Sequence, residues 1–306
     1  MKAFLFPGQG TQKAGMYSLL TGKEAEVDEV FKIASEATGK DVLSLCRDCT
    51  DEELKQTANT QLSVTAMNMA YLRLLENRGI KPDIVAGHSL GQLSAVAAAG
   101  CISLYDLFRI VGKRAELMGQ LKESGKLATI LGLDREVIYK VCEEVSKEVG
   151  KVQVALENAT QQTVIGGKEE EVNAAVERLK EAGALRIVEI KVSNAFHTYM
   201  MEPMVEPFAE FVKSIEFKAP QTRILLNAKG NFADNESEIK TDLINQCTNV
   251  VKWCDCMNLL LKEKDIKIAE TGVGRTMASM IKGIDRGVKV YLMSNNVDFE
   301  QFITEG

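Results

Sequence analysis

The sequence predicts an α/β protein, a large domain built on a parallel sheet and interrupted by a smaller βαββαβ unit. Three observations carry this. Strand-length apolar runs alternate with helical stretches, and the runs are apolar on both faces, as strands covered by helices on each side must be. One of them, Asp83-Ile84-Val85-Ala86, leads through Gly87-His88-Ser89-Leu90-Gly91 straight into an Ala-rich helix. Between 126 and 191 the order changes to strand, helix, strand, strand, helix, strand.

Taken in order, residues 2–6 form the first strand and Pro7-Gly8-Gln9-Gly10-Thr11-Gln12 the loop after it. Helices are expected at 24–37 and 60–78. In the second, Leu62, Met67, Met69, Leu72 and Leu75 give the broad apolar face of a well-buried helix. Strand 83–86 follows, then helices 90–99 and 104–122. The middle unit reads as strand 127–131, helix 134–148, strands 152–157 and 162–165, helix 169–182 and strand 185–191. The ends of such a unit lie close together, so it can be inserted into another domain at low cost. The large domain is therefore expected at 1–125 plus 192–306, with 126–191 as the insert. Beyond the insert, helices 200–215, 236–247, 252–263 and 275–283 alternate with strands 222–226, 266–269 and 288–292.

A chain of 306 residues, 45% hydrophobic and 26% charged, can bury a sizeable core and has the composition of a soluble globular protein. No run of eighteen apolar residues is present, which argues against a membrane span. The stretch from Met1 to Pro7 reaches Gly8 too soon for a signal peptide. A net charge of −6 argues against nucleic acid and anionic membranes as partners. Seven cysteines without a disulfide-framework spacing fit a reducing cytoplasm. Cys46-x-x-Cys49 and Cys254-x-Cys256 can be drawn as a zinc site, but the second pair is too tightly spaced and no histidine is free to help. No metal and no cofactor are expected.

The Gly-x-Ser-x-Gly turn points to chemistry because it holds a serine hydroxyl exposed on a tight bend. A hydroxyl is a poor nucleophile until a base takes its proton. The chain has two histidines. His88 adjoins Ser89 on the bend, with its side chain directed away, so His197 is the imidazole left to serve. His197 re-enters the large domain beside the junction with the insert, and clefts between domains commonly hold small molecules. The Leu90 N–H, at the start of the helix, is one donor for an oxyanion. A second usually comes from a Gly-rich loop after another strand. In the loop after the first strand Gly8 and Gly10 flank Gln9 so that its N–H can face a ligand, and a tight strand–helix turn with no ligand fits the same residues. No acidic residue is singled out to orient His197; a backbone or side-chain carbonyl would serve as well. Arg114, in the helix after the elbow helix, reads by itself as a surface residue.

With these residues assembled, the chain resembles the malonyl-CoA:acyl carrier protein transacylases, including the free-standing acyltransferases of polyketide synthases. The resemblance runs in order through Phe6-Pro7-Gly8-Gln9-Gly10, Gly87-His88-Ser89-Leu90-Gly91, Lys113-Arg114-x-x-Leu117-Met118 and Asn194-Ala195-Phe196-His197. It continues through Asn245-Gln246 ahead of Val251-Lys252-Trp253, and Glu270-Thr271-Gly272-Val273-Gly274. It implies a hydrolase-like α/β core with an inserted ferredoxin-like subdomain. It also implies Ser89 as nucleophile, His197 as base, the N–H groups of Gln9 and Leu90 as oxyanion hole, and Arg114 as a clamp for the malonyl carboxylate. Gln246 would orient His197 through its carbonyl, with Asn158 helping from the insert. The implied substrates are malonyl-CoA and the phosphopantetheine thiol of an acyl carrier protein, with the CoA thioester a substrate rather than a cofactor, and the implied state is a monomer. Two positions depart from the commonest pattern: Gln92, where glutamate is frequent, and Asn194, where malonyl-specific polyketide members often carry histidine.

Two rivals stand beside this. A serine thioesterase would share Ser89 and His197 but needs no carboxylate clamp. A catalytically inert docking module would keep only the fold. Carrier proteins are usually acidic, and so is this chain, so docking requires a local basic patch. Lys180 and Arg186 of the insert are among several candidates for it.

Overall fold

β1 (Lys2–Phe6) is buried from Ala3 onward, and its alternating side chains feed two cores. Phe4 and Phe6 point into one helical layer, Ala3 and Leu5 into the other. The computed structural model describes residues 1–190 and 194–305. After β1, a 3-10 turn at Met16–Leu20 leads to α1 (Glu24–Thr38), α2 (Val42–Arg47), α3 (Asp51–Leu54) and α4 (Thr57–Glu76). β2 (Ile84–Gly87), α5 (Gly91–Ala98) and α6 (Leu104–Gly119) follow. The middle of the chain is β3 (Lys126–Leu131), α7 (Arg135–Glu148), β4 (Val152–Ala159), β5 (Gln162–Gly167), α8 (Glu169–Glu181) and β6 (Arg186–Ile190). The remainder is a 3-10 turn at Tyr199–Met201, α9 (Glu202–Lys213), β7 (Arg223–Leu226), β8 (Asn231–Phe232) and α10 (Glu236–Asn245). α11 (Trp253–Leu260), β9 (Lys267–Glu270), α12 (Thr276–Lys282), β10 (Val290–Leu292) and α13 (Asn296–Thr304) complete it.

The larger sheet has the order β10-β9-β1-β2-β7-β8, parallel throughout except for the last pair. The smaller sheet, β4-β5-β3-β6, is antiparallel. Its order is that of a ferredoxin-like unit, with α7 and α8 packed on one face over Ile130, Val154 and Ile165. Both expected sheets are therefore present, and the α/β class stands.

Two features place the site. Phe6 of β1 lies in register with Gly87 of β2, so the loops leaving these strands emerge side by side at the carboxyl edge of the parallel sheet. β4 leans on the larger sheet's layer: Leu156 bridges to Val251, with Glu157 N–H to Val251 O at 2.9 Å and Val251 N–H to Ala155 O at 3.0 Å. Arg135 braces the same junction, 3.0 Å from Asp255 and 3.5 Å from Glu157.

The structure adds elements that the sequence reading leaves out: the turn at Met16–Leu20, α2, α3, β8 and α13. α3 is only four residues long, held by a capping box in which Thr50 and Glu53 accept each other's N–H. β4 runs to Ala159, two residues past its expected end. The expected strand end at Lys191, the boundary between 191 and 192, and Ser193 lie outside the described residues. No helix among the described residues is long and apolar enough to cross a membrane.

Candidate active site

The bend after β2 is set by close backbone packing. A methyl group on Gly91 would sit 2.0 Å from the Phe6 carbonyl oxygen, and one on Gly87 2.0 Å from that of Gly91. A methyl on Gly8 would lie 2.5 Å from the His88 carbonyl oxygen, so the loop after β1 rests directly on the elbow. Ser89 is forced to φ 52°, and His197, on the incoming segment, to φ 64°. Two of the three non-glycine residues with positive φ among those described are thus this serine and this histidine. Each such conformation costs about 1–3 kcal/mol and persists where the surroundings impose it.

Ser89 Oγ donates to His197 Nε2 at 2.7 Å. His197 Nδ1 lies 2.8 Å from the Gln246 carbonyl oxygen, which only accepts, so Nδ1 carries the proton and Nε2 offers its lone pair to Ser89. Burial, together with the Arg114 charge, pushes the His197 pKa down to about 3, against the upward pull of the Gln246 carbonyl. The imidazole is therefore neutral at pH 7. The N–H groups of Gln9 and Leu90 have no acceptor among the described residues. They are free donors on the two abutting loops, and both border the cavity at Ser89.

Arg114 is 3% exposed, and the only hydrogen bond of its side chain among the described residues is from Nη1 to Gln61 Oε1 at 2.8 Å. No carboxylate lies within ion-pair distance of it among the described residues. It lines a cavity of about 710 Å³ together with Gln9, Ser89, Leu90, His197, Met118 and Phe196. A buried cation without a counter-ion is costly unless an anion from outside completes it. The cavity also takes Leu127, Leu156 and Ile190 from the smaller sheet, so it lies between the two sheets.

Residues 3–246 match the acyl transferase domain family. The chain is 34% identical over 295 residues to the malonyl CoA-acyl carrier protein transacylase of Bacillus subtilis (strain 168), covering 96% of this chain and 93% of that protein. The chain belongs to the malonyl-CoA:acyl carrier protein transacylase family. Among solved structures, an acyl carrier protein S-malonyltransferase from Vibrio cholerae superposes with TM-score 0.94 at 31% identity, over 98% of this chain and 99% of that one. A type II polyketide synthase acyl-carrier protein in complex with its malonyl-transacylase matches with TM-score 0.95 at 30% identity, over 100% and 99%.

One assignment within this transacylase needs correction. Asn158 does not orient His197: its Oδ1 meets His88 Nε2 at 2.8 Å. Both ring nitrogens of His197 are already engaged, by Ser89 and by the Gln246 carbonyl, which leaves Asn158 nothing to bond there. His88 points away from Ser89, as expected, and packs edge-on against Trp253 at 5.4 Å. Asn194 also lies off the cleft: its side chain reaches the Glu123 carbonyl at 3.3 Å and lines a separate cavity of about 380 Å³. Of the basic-patch candidates, Lys180 is engaged by Glu177, and Arg186 is exposed on β6 at the edge of its sheet.

Three polar residues of the site escape the sequence reading. Gln61 holds Arg114. Asn68 Nδ2 holds the Pro7 carbonyl at 3.0 Å and so steadies the loop carrying Gln9. Asn227 Oδ1 accepts the Ser89 N–H at 2.8 Å. The one available signal is position, since Asn227 directly follows β7 at the sheet edge where sites of parallel sheets gather.

Burial also lowers the His88 pKa, to about 4. Both histidines thus sit below the 6.5 of an unfolded chain, so unfolding takes up protons as pH falls through 6.5 and stability drops with it. The loss at pH 5 relative to pH 7.5 is expected to be on the order of 3 kcal/mol. Urea midpoints at the two pH values measure it, and equal midpoints would contradict neutral burial of the pair.

Proposed function

We propose that the protein moves a malonyl group from CoA to the phosphopantetheine thiol of an acyl carrier protein through an acyl-Ser89 intermediate. The observation that carries this is Arg114, a buried cation facing the same cavity as the Ser89–His197 pair and lacking a carboxylate partner among the described residues. A planar guanidinium suits the free carboxylate of a malonyl thioester, and a simple thioesterase has no use for it.

In the first half-reaction Ser89 Oγ attacks the thioester carbonyl while His197 Nε2 takes its proton. The oxyanion forms within reach of the Gln9 and Leu90 N–H groups, each such donor being worth about 3–4 kcal/mol in hydrolases. The C–S bond breaks and CoA leaves with the proton from His197. In the second half, His197 takes the proton of the carrier thiol, whose sulfur attacks the ester carbonyl. The C–O bond to Ser89 breaks and the serine recovers its proton. Gln246 holds the imidazole in the tautomer both halves need.

Residues 126–191 act in this reading as an inserted subdomain that supplies one wall of the cleft. One copy contains every residue named, which supports a monomer, and the free thiols fit work in the cytoplasm. The relative solved with its acyl-carrier protein supports the choice of partner. Intact-mass analysis after exposure to malonyl-, methylmalonyl- and acetyl-CoA tests the proposal. One malonyl adduct is expected, discharged when holo-acyl carrier protein is added. No adduct, or one lost to water equally fast without the carrier, would refute it.

A further inference from the structure

The strained turn that carries Ser89 is joined by a third residue to the segment whose backbone carbonyl holds His197. Asn227 is fully buried, and its whole side chain is committed. Oδ1 accepts from the Ser89 N–H at 2.8 Å and from the Gln246 side-chain amide at 3.2 Å. Nδ2 donates to the Gly87 carbonyl at 2.8 Å. Its own N–H donates to Gln92 Oε1 at 2.7 Å, and Gln92 Nε2 donates in turn to Asp242 at 2.7 Å. Asp242 is fixed from its other side by the Lys229 N–H at 2.9 Å.

Gln246 closes the circuit. Its amide donates to the Ser89 carbonyl at 3.0 Å as well as to Asn227, while its own carbonyl accepts from His197. Both backbone groups of the nucleophile are thus tied to two side-chain amides that bond each other. The segment that orients His197 is one of the two. We infer that Asn227 is a positioning residue for acyl transfer, coupling the Ser89 turn to the Gln246 segment so that hydroxyl and imidazole stay within reach. This rests on the reading of Ser89 as nucleophile. The role requires an amide, since one end accepts twice and the other donates to a carbonyl. Gln92 is likewise fitted as an amide. A carboxylate there would face Asp242 at the distance now spanned by a hydrogen bond, with no proton between them.

The test is a double-mutant cycle on Asn227→Ala and Gln246→Ala. The readout is the single-turnover rate of Ser89 malonylation, followed by quenched intact mass across malonyl-CoA concentrations. Each single variant is expected to lower the saturating rate by roughly 10- to 100-fold, as loss of sub-ångström alignment does. The half-saturating malonyl-CoA concentration should move less than about threefold, because Arg114 and Gln61 take no part in this network. The double variant should be no more than about threefold slower than the slower single one, because the two act as a unit. Multiplying losses, an unchanged saturating rate in Asn227→Ala, or half-saturation rising in step with the rate loss would overturn the inference. If Asn227→Ala does not fold, Gln92→Ala and Gln246→Ala form the same cycle with the same expected outcomes. An adduct on Ser89→Ala would sink the nucleophile reading itself. Normal Ser89 labelling in the wild type with a full-rate Asn227→Ala sinks this inference alone.

Discussion

Ser89→Ala is expected to form no acyl adduct and to lose at least about four orders of magnitude in malonyl transfer. The size of the loss follows from the absence of any substitute. Among the described residues His197 Nε2 has one partner, Ser89 Oγ at 2.7 Å, and the other histidine is turned away onto Asn158 and Trp253. The seven free cysteines are no replacement, since none of them lines the cavity. Without the hydroxyl the oxyanion donors still polarise a bound thioester, but the acyl group has no atom on which to wait for the carrier. Intact mass after malonyl-CoA, with wild type alongside, decides the matter. A malonyl adduct of wild-type yield on the alanine variant would end the ping-pong mechanism.

Arg114→Ala is expected to lower kcat/KM for malonyl-CoA by about 30- to 1000-fold, or roughly 2–4 kcal/mol, while acetyl-CoA changes little. The carboxylate would then enter a pocket from which the buried guanidinium is gone, and Gln61 Oε1 would be left without the group it accepted from. Arg114→Lys keeps the charge but loses the planar fork, and should fall between the two. The diagnostic quantity is the ratio of the two substrates, since misfolding lowers both alike. Equal losses on malonyl- and acetyl-CoA would show that Arg114 only shapes the pocket.

The parts of this arrangement that could be read from the sequence are those fixed by chain order or by counting. Gly87 and Gly91 around Ser89 announce a backbone with no room for side chains, and the structure shows the near-contacts that exclude them. Two histidines, one of them on the elbow, leave one partner for the hydroxyl. The βαββαβ order identifies the smaller sheet, whose strand order follows from it. What could not be read depends on packing across distant segments. Gln61 and Asn68 sit on α4, whose residues from Thr60 to Leu72 are all buried, so no polar face marks them out. The same periodicity would describe a helix with both side chains in solvent. Asn158 reaches a histidine from the insert, as the resemblance implies, but the ring it meets is that of His88. β4 extends to Ala159, and that extension, together with the bridge to Val251, aims Asn158 at His88. β8 has two residues, too few to show any alternation.

The contact between Gly8 and the elbow has a mechanical consequence. The two loops that present free N–H groups meet main chain to main chain, and each continues a strand of the β1–β2 ladder. Their spacing is inherited first from that ladder, whose strands lie about 4.8 Å apart, and the Asn68 and Asn227 amides then pin each loop to it. Loosening of the surrounding packing by heat or mild denaturant leaves the spacing intact until the ladder amides themselves begin to exchange with solvent. Catalytic geometry and the most protected part of the sheet should therefore fail together.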